Sequence, residues 1–378
     1  MKLEEYKSGM YTKINNERAF ILTKIDYKWE WQNCDTSKLL AEASRLVGEL
    51  NIYTKLIPEI DTYAMMWQKI DAISSCKIEG VEITLEDLLK QDIEENQEKQ
   101  DDIEEIKNYI EAINYGKEKI NESKELSTNL IRDMHKVLLK GKKGQDKNPG
   151  KLRSTQECIE ESFKQSSDFV PSANTEIIEC LTDFEKFIEN DENNIPQLIK
   201  TALLHYQFES IRPFTAGNGN IGRILAPLYL QKKGILEKPY LYLSSFFEKY
   251  KPVYLSKLAK VRTNSDILGW INYFLEAVIE IASTQISQIR ALEALKEEIK
   301  KVIENLPVKD QNGEKIFEVL YKTPIATRKT ILDQSEIKPS TLNTIINCLQ
   351  ETNTIKEQTG QGRNQIFAFT PYIEIFGQ

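Results

Sequence analysis

Histidine is nearly absent from this chain: two residues in 378, His135 and His205. Imidazole base chemistry and transition-metal sites therefore have few places to form. Cys34, Cys76, Cys158, Cys180 and Cys348 are odd in number, scattered and without a CxxC pair, which argues against a disulfide framework or a zinc cluster. No apolar run reads as a membrane span, and the opening MKLEEYKSGMYTK lacks the apolar stretch of a secretory signal. The expected compartment is the cytoplasm, with no membrane partner. An excess of positive charge is missing too. Fifty Lys and Arg against 58 Asp and Glu leave a net charge of −8, which excludes a generally basic, nucleic-acid-coating surface but allows a local patch.

What is present is length and helical patterning. With 378 residues, 40% of them hydrophobic, the chain can build two or three domains with cores. Apolar residues recur at three- and four-residue steps over Ser37 to Leu56 and Pro58 to Ile78, the second run ending at Gly80, a residue suited to the position just past a helix. Helices are also expected over Asp101–Ile120, Ser127–Leu139, Thr175–Phe187 and Pro196–Ser210. In the last, Leu198, Ile199, Ala202, Leu203 and Tyr206 form the buried stripe. His135 and His205 fall within two of these helices and read as structural. Residues 150–171 are polar and tolerant of β structure, and a hairpin is expected there.

Between two such helical patterns lies IRPFTAGNGNIGR, Ile211 to Arg223. An isolated Gly-Asn-Gly is ordinarily a turn. Here Gly217, Asn218 and Gly219 can also aim consecutive N–H groups at one point, at the start of a helix whose positive end favours an anion such as phosphate.

The flanks of this stretch resemble the Fic family, whose signature has histidine, phenylalanine two residues on, an acidic residue, Gly-Asn-Gly-Arg and a second arginine. Phe214, Gly217, Asn218, Gly219 and Arg223 match. Arg212 stands at the histidine position, Ala216 at the acidic one and Asn220 at the first arginine. SSCKIEG resembles the family's inhibitory motif, which implies that Glu79, with Ser75 one turn earlier, pairs with Arg223 and blocks seating of the γ-phosphate. Residues 150–171, with Arg153 and Gln156 matching, resemble the flap that holds a target polypeptide by strand addition, while Glu160, Glu161 and Ser162 depart from its turn. Leu241 to Arg262 and Trp270 to Ile281 resemble the family's downstream segment and closing helix.

The resemblance implies a mainly α protein: a Fic-type helical bundle with a β-hairpin flap and a C-terminal winged-helix domain. Its expected divisions are residues 1–95 with an inhibitory helix at about 58–80, a core over 96–282, a helical linker over 283–311 and a winged helix-turn-helix over 312–378. It implies transfer of AMP from ATP to Ser, Thr or Tyr hydroxyls of target proteins. ATP or another nucleotide would rest on Gly217, Asn218, Gly219, Asn220 and Arg223. The departures count against efficient transfer: arginine cannot accept a proton near neutrality, alanine offers no oxygen to magnesium, and asparagine brings no charge to phosphate. Arg212 would instead place a new cation beside the loop. Three readings stand: a degenerate, phosphate-binding regulator switched by Glu79; a transferase with altered metal use or base; and an interaction protein whose winged module binds DNA or a protein. In the last, Asn343, Thr344, Asn347 and Gln350 could read bases, with phosphates left to Arg328, Lys329, Lys338 and Arg363. A homodimer is compatible with each.

Overall fold

The computed structural model describes residues 1–14, 17–91, 93, 98–155, 172–361 and 364–377. Most of the expected flap, Gln156 to Pro171, lies outside the described residues, as does Arg363.

In chain order the described elements open with a hairpin of β1 (Gly9–Ile14) and β2 (Glu17–Leu22), then α1 (Cys34–Leu56), α2 (Ile60–Ile78), α3 (Leu85–Lys90), α4 (Gln100–Ser123) and α5 (Thr128–Leu138). There follow α6 (Ile177–Glu189), α7 (Gln197–Ile211), α8 (Asn218–Lys232), α9 (Ser244–Lys249), α10 (Lys251–Asn264) and α11 (Ile267–Glu304). The chain closes with α12 (Asp310–Lys322), β3 (Ile325–Thr327), α13 (Arg328–Ser335), α14 (Pro339–Glu351), β4 (Lys356–Glu357), β5 (Ile366–Ala368) and α15 (Thr370–Phe376). One compact unit takes residues 1–56, 68–83 and 101–283; the other takes 57–67, 84–100 and 284–378. Both are discontinuous, which a linear division of the sequence does not anticipate.

The first unit is arranged around α7. Leu198 through Ile211 are all buried, so the helix has no solvent face, and the expected apolar stripe understates it. Buried polar groups on such a helix need partners. The Lys200 ammonium donates to the Asn190 carbonyl at 2.6 Å and Asn193 Oδ1 at 2.9 Å. The His205 ring sits between the Gly222 carbonyl, 3.1 Å from Nδ1, and the Tyr254 hydroxyl, 2.8 Å from Nε2. A carbonyl can only accept, so Nδ1 carries the proton and Nε2 accepts. The Trp270 indole donates to the Ala202 carbonyl at 2.8 Å. Fully buried Leu203 and Phe208 add about 1.5–3 kcal/mol each by removing apolar surface from water.

α11 is one continuous helix of 38 residues where two separate pieces are expected. It is long and apolar enough to cross a membrane. Its residues Trp270, Ile271, Phe274 and Val278 are instead fully buried in the first unit.

In the second unit, β3, β5 and β4 form an antiparallel sheet in that order, with Ile325 opposite Ala368 and Lys356 opposite the same residue from the other side. Phe317, Tyr321, Phe369 and Tyr372 make its aromatic core. The short β3 and the terminal α15 are not anticipated by the sequence pattern.

Candidate active site: a loop held by two buried arginines

The α7–α8 loop turns at two residues of positive φ. Arg212 caps α7 at φ 46°, ψ 68°, a left-handed conformation costing a non-glycine residue about 1–2 kcal/mol, and Gly217 precedes α8 at φ 75°. Arg153 helps hold the first turn. Its Nε donates to the Arg212 carbonyl at 2.7 Å, Nη1 to Thr155 at 2.9 Å, and Nη2 to the carbonyls of Ser172 at 2.5 Å and Ile211 at 3.3 Å. Asn218 closes the loop internally: its Oδ1 accepts from the Phe214 N–H and its Nδ2 donates to the Phe214 carbonyl, both at 2.9 Å. An Asn218 side chain so engaged is a clasp.

His135 holds the loop from α5. The Gly150 N–H donates to Nδ1 at 2.9 Å, so the proton lies on Nε2, which donates to the Ala216 carbonyl at 2.9 Å. The ring stacks on Phe214 at 3.7 Å. Burial pushes His135 down to about 4, against the pull of the Ala216 contact, and pushes His205 down to about 3. Both histidines are neutral at pH 7 with both nitrogens engaged, so neither replaces the base missing at Arg212.

At the other end of the loop, α8 begins at Asn218. The N–H groups of Asn218, Gly219 and Asn220 have no helical carbonyl four residues back, which leaves a positive helix end. A carboxylate stands there. Glu79 accepts from Arg223 Nη2 at 2.8 Å, and a Cβ built on Gly219 would press on Glu79 Oε1, so the carboxylate can stand here because residue 219 has no side chain. The Arg223 guanidinium also donates through Nε to Ser75 Oγ at 2.8 Å, and through Nη2 to the Ser75 carbonyl at 3.0 Å and Asn220 Oδ1 at 2.9 Å. Burial works against the Arg223 charge, yet the facing Glu79 holds it protonated more firmly than usual. Sequence alone suggests that a carboxylate at the end of α2 is unfavourable. Cations offset it: Arg223 on Ser75 and Glu79, and Lys251, which donates to the Ile78 carbonyl at 2.6 Å.

Arg212 differs from its expected placement. Its side chain is 1% exposed and lies 3.7 Å from Glu209 Oε2, itself 1% exposed, so it presents no solvent-facing cation. Burial pushes the Glu209 carboxyl up to about 7, with Arg223 opposing that rise. Ala216 contributes a methyl group, and among the described residues no group of three or more His, Cys, Asp or Glu could hold a metal ion.

Sequence reasoning missed Asp71. It is buried in α2, accepts from the Tyr109 hydroxyl at 2.8 Å and the Ser244 N–H at 2.9 Å, and so anchors the stretch that carries Ser75 and Glu79. Burial raises its pKa, against these hydrogen bonds. The signal was available: Trp67, Asp71, Ser75 and Glu79 follow at four-residue steps, one helix face.

The chain and its fold have counterparts among known proteins. Residues 37–118 match the model of the Fic/DOC family N-terminal region and residues 125–230 that of the Fic/DOC family. The chain carries both domains of that family. Over 115 residues it is 30% identical to a protein named protein adenylyltransferase fic-1 from Caenorhabditis briggsae, a match that spans 30% of this chain and about a fifth of that relative's length (21%). Among solved structures, a Fic family protein from Desulfovibrio desulfuricans G20 is similar at TM-score 0.59 and 17% identity, covering 91% of this chain and 98% of that one. A Fic-domain-containing signalling protein from Bacteroides thetaiotaomicron VPI-5482 gives 0.53 and 19%, covering 68% and 97%. Fic-1 from C. elegans gives 0.51 and 20%, covering 70% and 73%. At these identities the structural likeness establishes the mainly helical Fic fold.

Proposed function

We propose that the chain is a Fic-type protein of adenylyltransferase lineage that keeps an anion cradle for ATP or a related nucleotide, is closed by Glu79, and has lost efficient transfer chemistry. The observation that carries this reading is the carboxylate of Glu79 against Gly219 and Arg223, an anion already seated at the positive end of α8. Backbone N–H groups of Gly219 and Asn220 would hold phosphate oxygens once Glu79 leaves, with the Arg223 guanidinium beside them. ATP, when bound, would supply the activated adenylyl group, with pyrophosphate as the leaving group. Arg212 at the His position accepts no target proton, a loss worth about 10²–10⁴ in rate, and Ala216 offers magnesium no oxygen. A target polypeptide would meet the chain along 150–171.

Incubation of the full chain and its Glu79→Gly variant with α-labelled ATP, in magnesium or manganese, tests this. The variant should bind ATP by calorimetry and transfer no label. Label on the protein or on lysate targets would overturn the impaired reading in favour of a transferase with altered metal use or base.

A second reading concerns residues 310–376, supported by the order α12-β3-α13-α14-β4-β5 around a three-stranded sheet. We propose a winged helix-turn-helix that contacts protein rather than DNA. The exposed Ser340, Asn343 and Asn347 of α14 bring no basic residue, and Arg328 is already engaged by Asn343 and Gln365. Full chain that retards duplex DNA with a steep loss of affinity at higher salt would reverse that preference.

A further inference from the structure

Asn220 holds Arg223 independently of Glu79. Its Oδ1 accepts from Arg223 Nη2 at 2.9 Å and from Ser75 Oγ at 2.8 Å, while Ser75 Oγ itself accepts from Arg223 Nε at 2.8 Å. Guanidinium, hydroxyl and amide thus close a ring that joins α8 to α2. An arginine at 220 has donors only and would break it.

We infer that Asn220 is a positioning residue of the closed state: an acceptor, at a position where a cation would serve phosphate, that keeps Arg223 turned onto α2. The inference rests on the nucleotide-cradle reading above. Its consequence is a lock with two catches. When Glu79 is removed, Nη2 still has Asn220 Oδ1 and the Ser75 carbonyl, and Nε still has the Ser75 hydroxyl, so the guanidinium remains committed. Freeing it for a phosphate requires the second acceptor to go as well.

Calorimetric titration of ATP into the full chain tests this with Glu79→Gly, Asn220→Ala and the double variant. Asn220→Ala alone leaves Glu79 on Arg223 and should bind ATP more weakly than the double variant. The double variant should bind ATP about tenfold more tightly than Glu79→Gly, the scale of one hydrogen bond to a charged group. Asn220→Asp keeps the acceptor, so in the Glu79→Gly background it should bind no more tightly than Glu79→Gly alone. A structural role would lower the melting temperature without this split in affinity. Asn220→Arg, which removes the acceptor and adds a cation, provides a second route should the alanine variant fold poorly, and should also bind more tightly in that background. A double variant that binds no better than Glu79→Gly overturns the role of Asn220 and leaves the cradle standing. No ATP binding by either variant overturns the cradle and this inference with it.

Discussion

The two ends of the loop each bury an arginine, and they do opposite things with it. Arg223 has a hydroxyl, a carbonyl, an amide and a carboxylate around it, all within 3.0 Å. Arg212 is as deeply buried, caps its helix in a left-handed conformation, and faces a carboxylate at 3.7 Å, neither oxygen of which finds a hydrogen bond among the described residues. Burial raises the stakes of a charge in either direction. Which groups face the charge decides what is lost when it is removed.

Removal of each arginine should break this comparison most plainly. Arg223→Ala is expected to cost about 3–5 kcal/mol by urea denaturation, because it leaves the Glu79 carboxylate, Ser75 and Asn220 facing an empty site. Adding Glu79→Gly should recover part of that loss, and failure to do so would mean the pair is not what the arginine serves. The acid limb gives the next effect. His135 and His205 stay neutral in the fold down to about 4 and 3, whereas unfolded chain takes up a proton near 6.5. Stability present above pH 6.5 should therefore fall as pH drops toward 4, by up to roughly 3 kcal/mol per histidine, and His135→Gln should flatten that slope in thermal melts.

Gly219→Ala places a methyl against the Glu79 oxygen and should cost about 1–3 kcal/mol while weakening the Glu79–Arg223 pair. An unchanged melting temperature would show that Glu79 moves aside freely. Arg212→Met should cost least, about 1–2 kcal/mol at pH 8 and less at pH 6. Glu209, pushed up to about 7, can take a proton at the lower pH and end the isolation of its charge. A loss equal to that of Arg223→Ala at both pH values would erase the distinction between the two ends.

Much of this arrangement was legible in the residues. The resemblance of SSCKIEG and of the stretch from Gly217 to Arg223 to the Fic family implies the latch of Glu79 on Arg223, and the structure brings those residues together. Arg212 was legible as to type but not direction: its charge is settled by Glu209, one helical turn earlier, a partner visible only once α7 is known to be buried on every side. Asn220 reads as a missing charge, whereas its acceptor oxygen is what the fold uses. β3 is three residues long and carries too little alternation to be seen. The two expected parts of α11 read as separate because composition changes from apolar to charged along it, yet no glycine or proline interrupts the helix after Gly269.

Arg153 makes one side chain answer for three separate stretches of the chain. Its guanidinium collects the carbonyls of Thr155, Ser172 and Arg212. A substitution at Arg153 would release all three at once, whereas a substitution at any one of the three would leave its backbone oxygen, and so the gathering, in place.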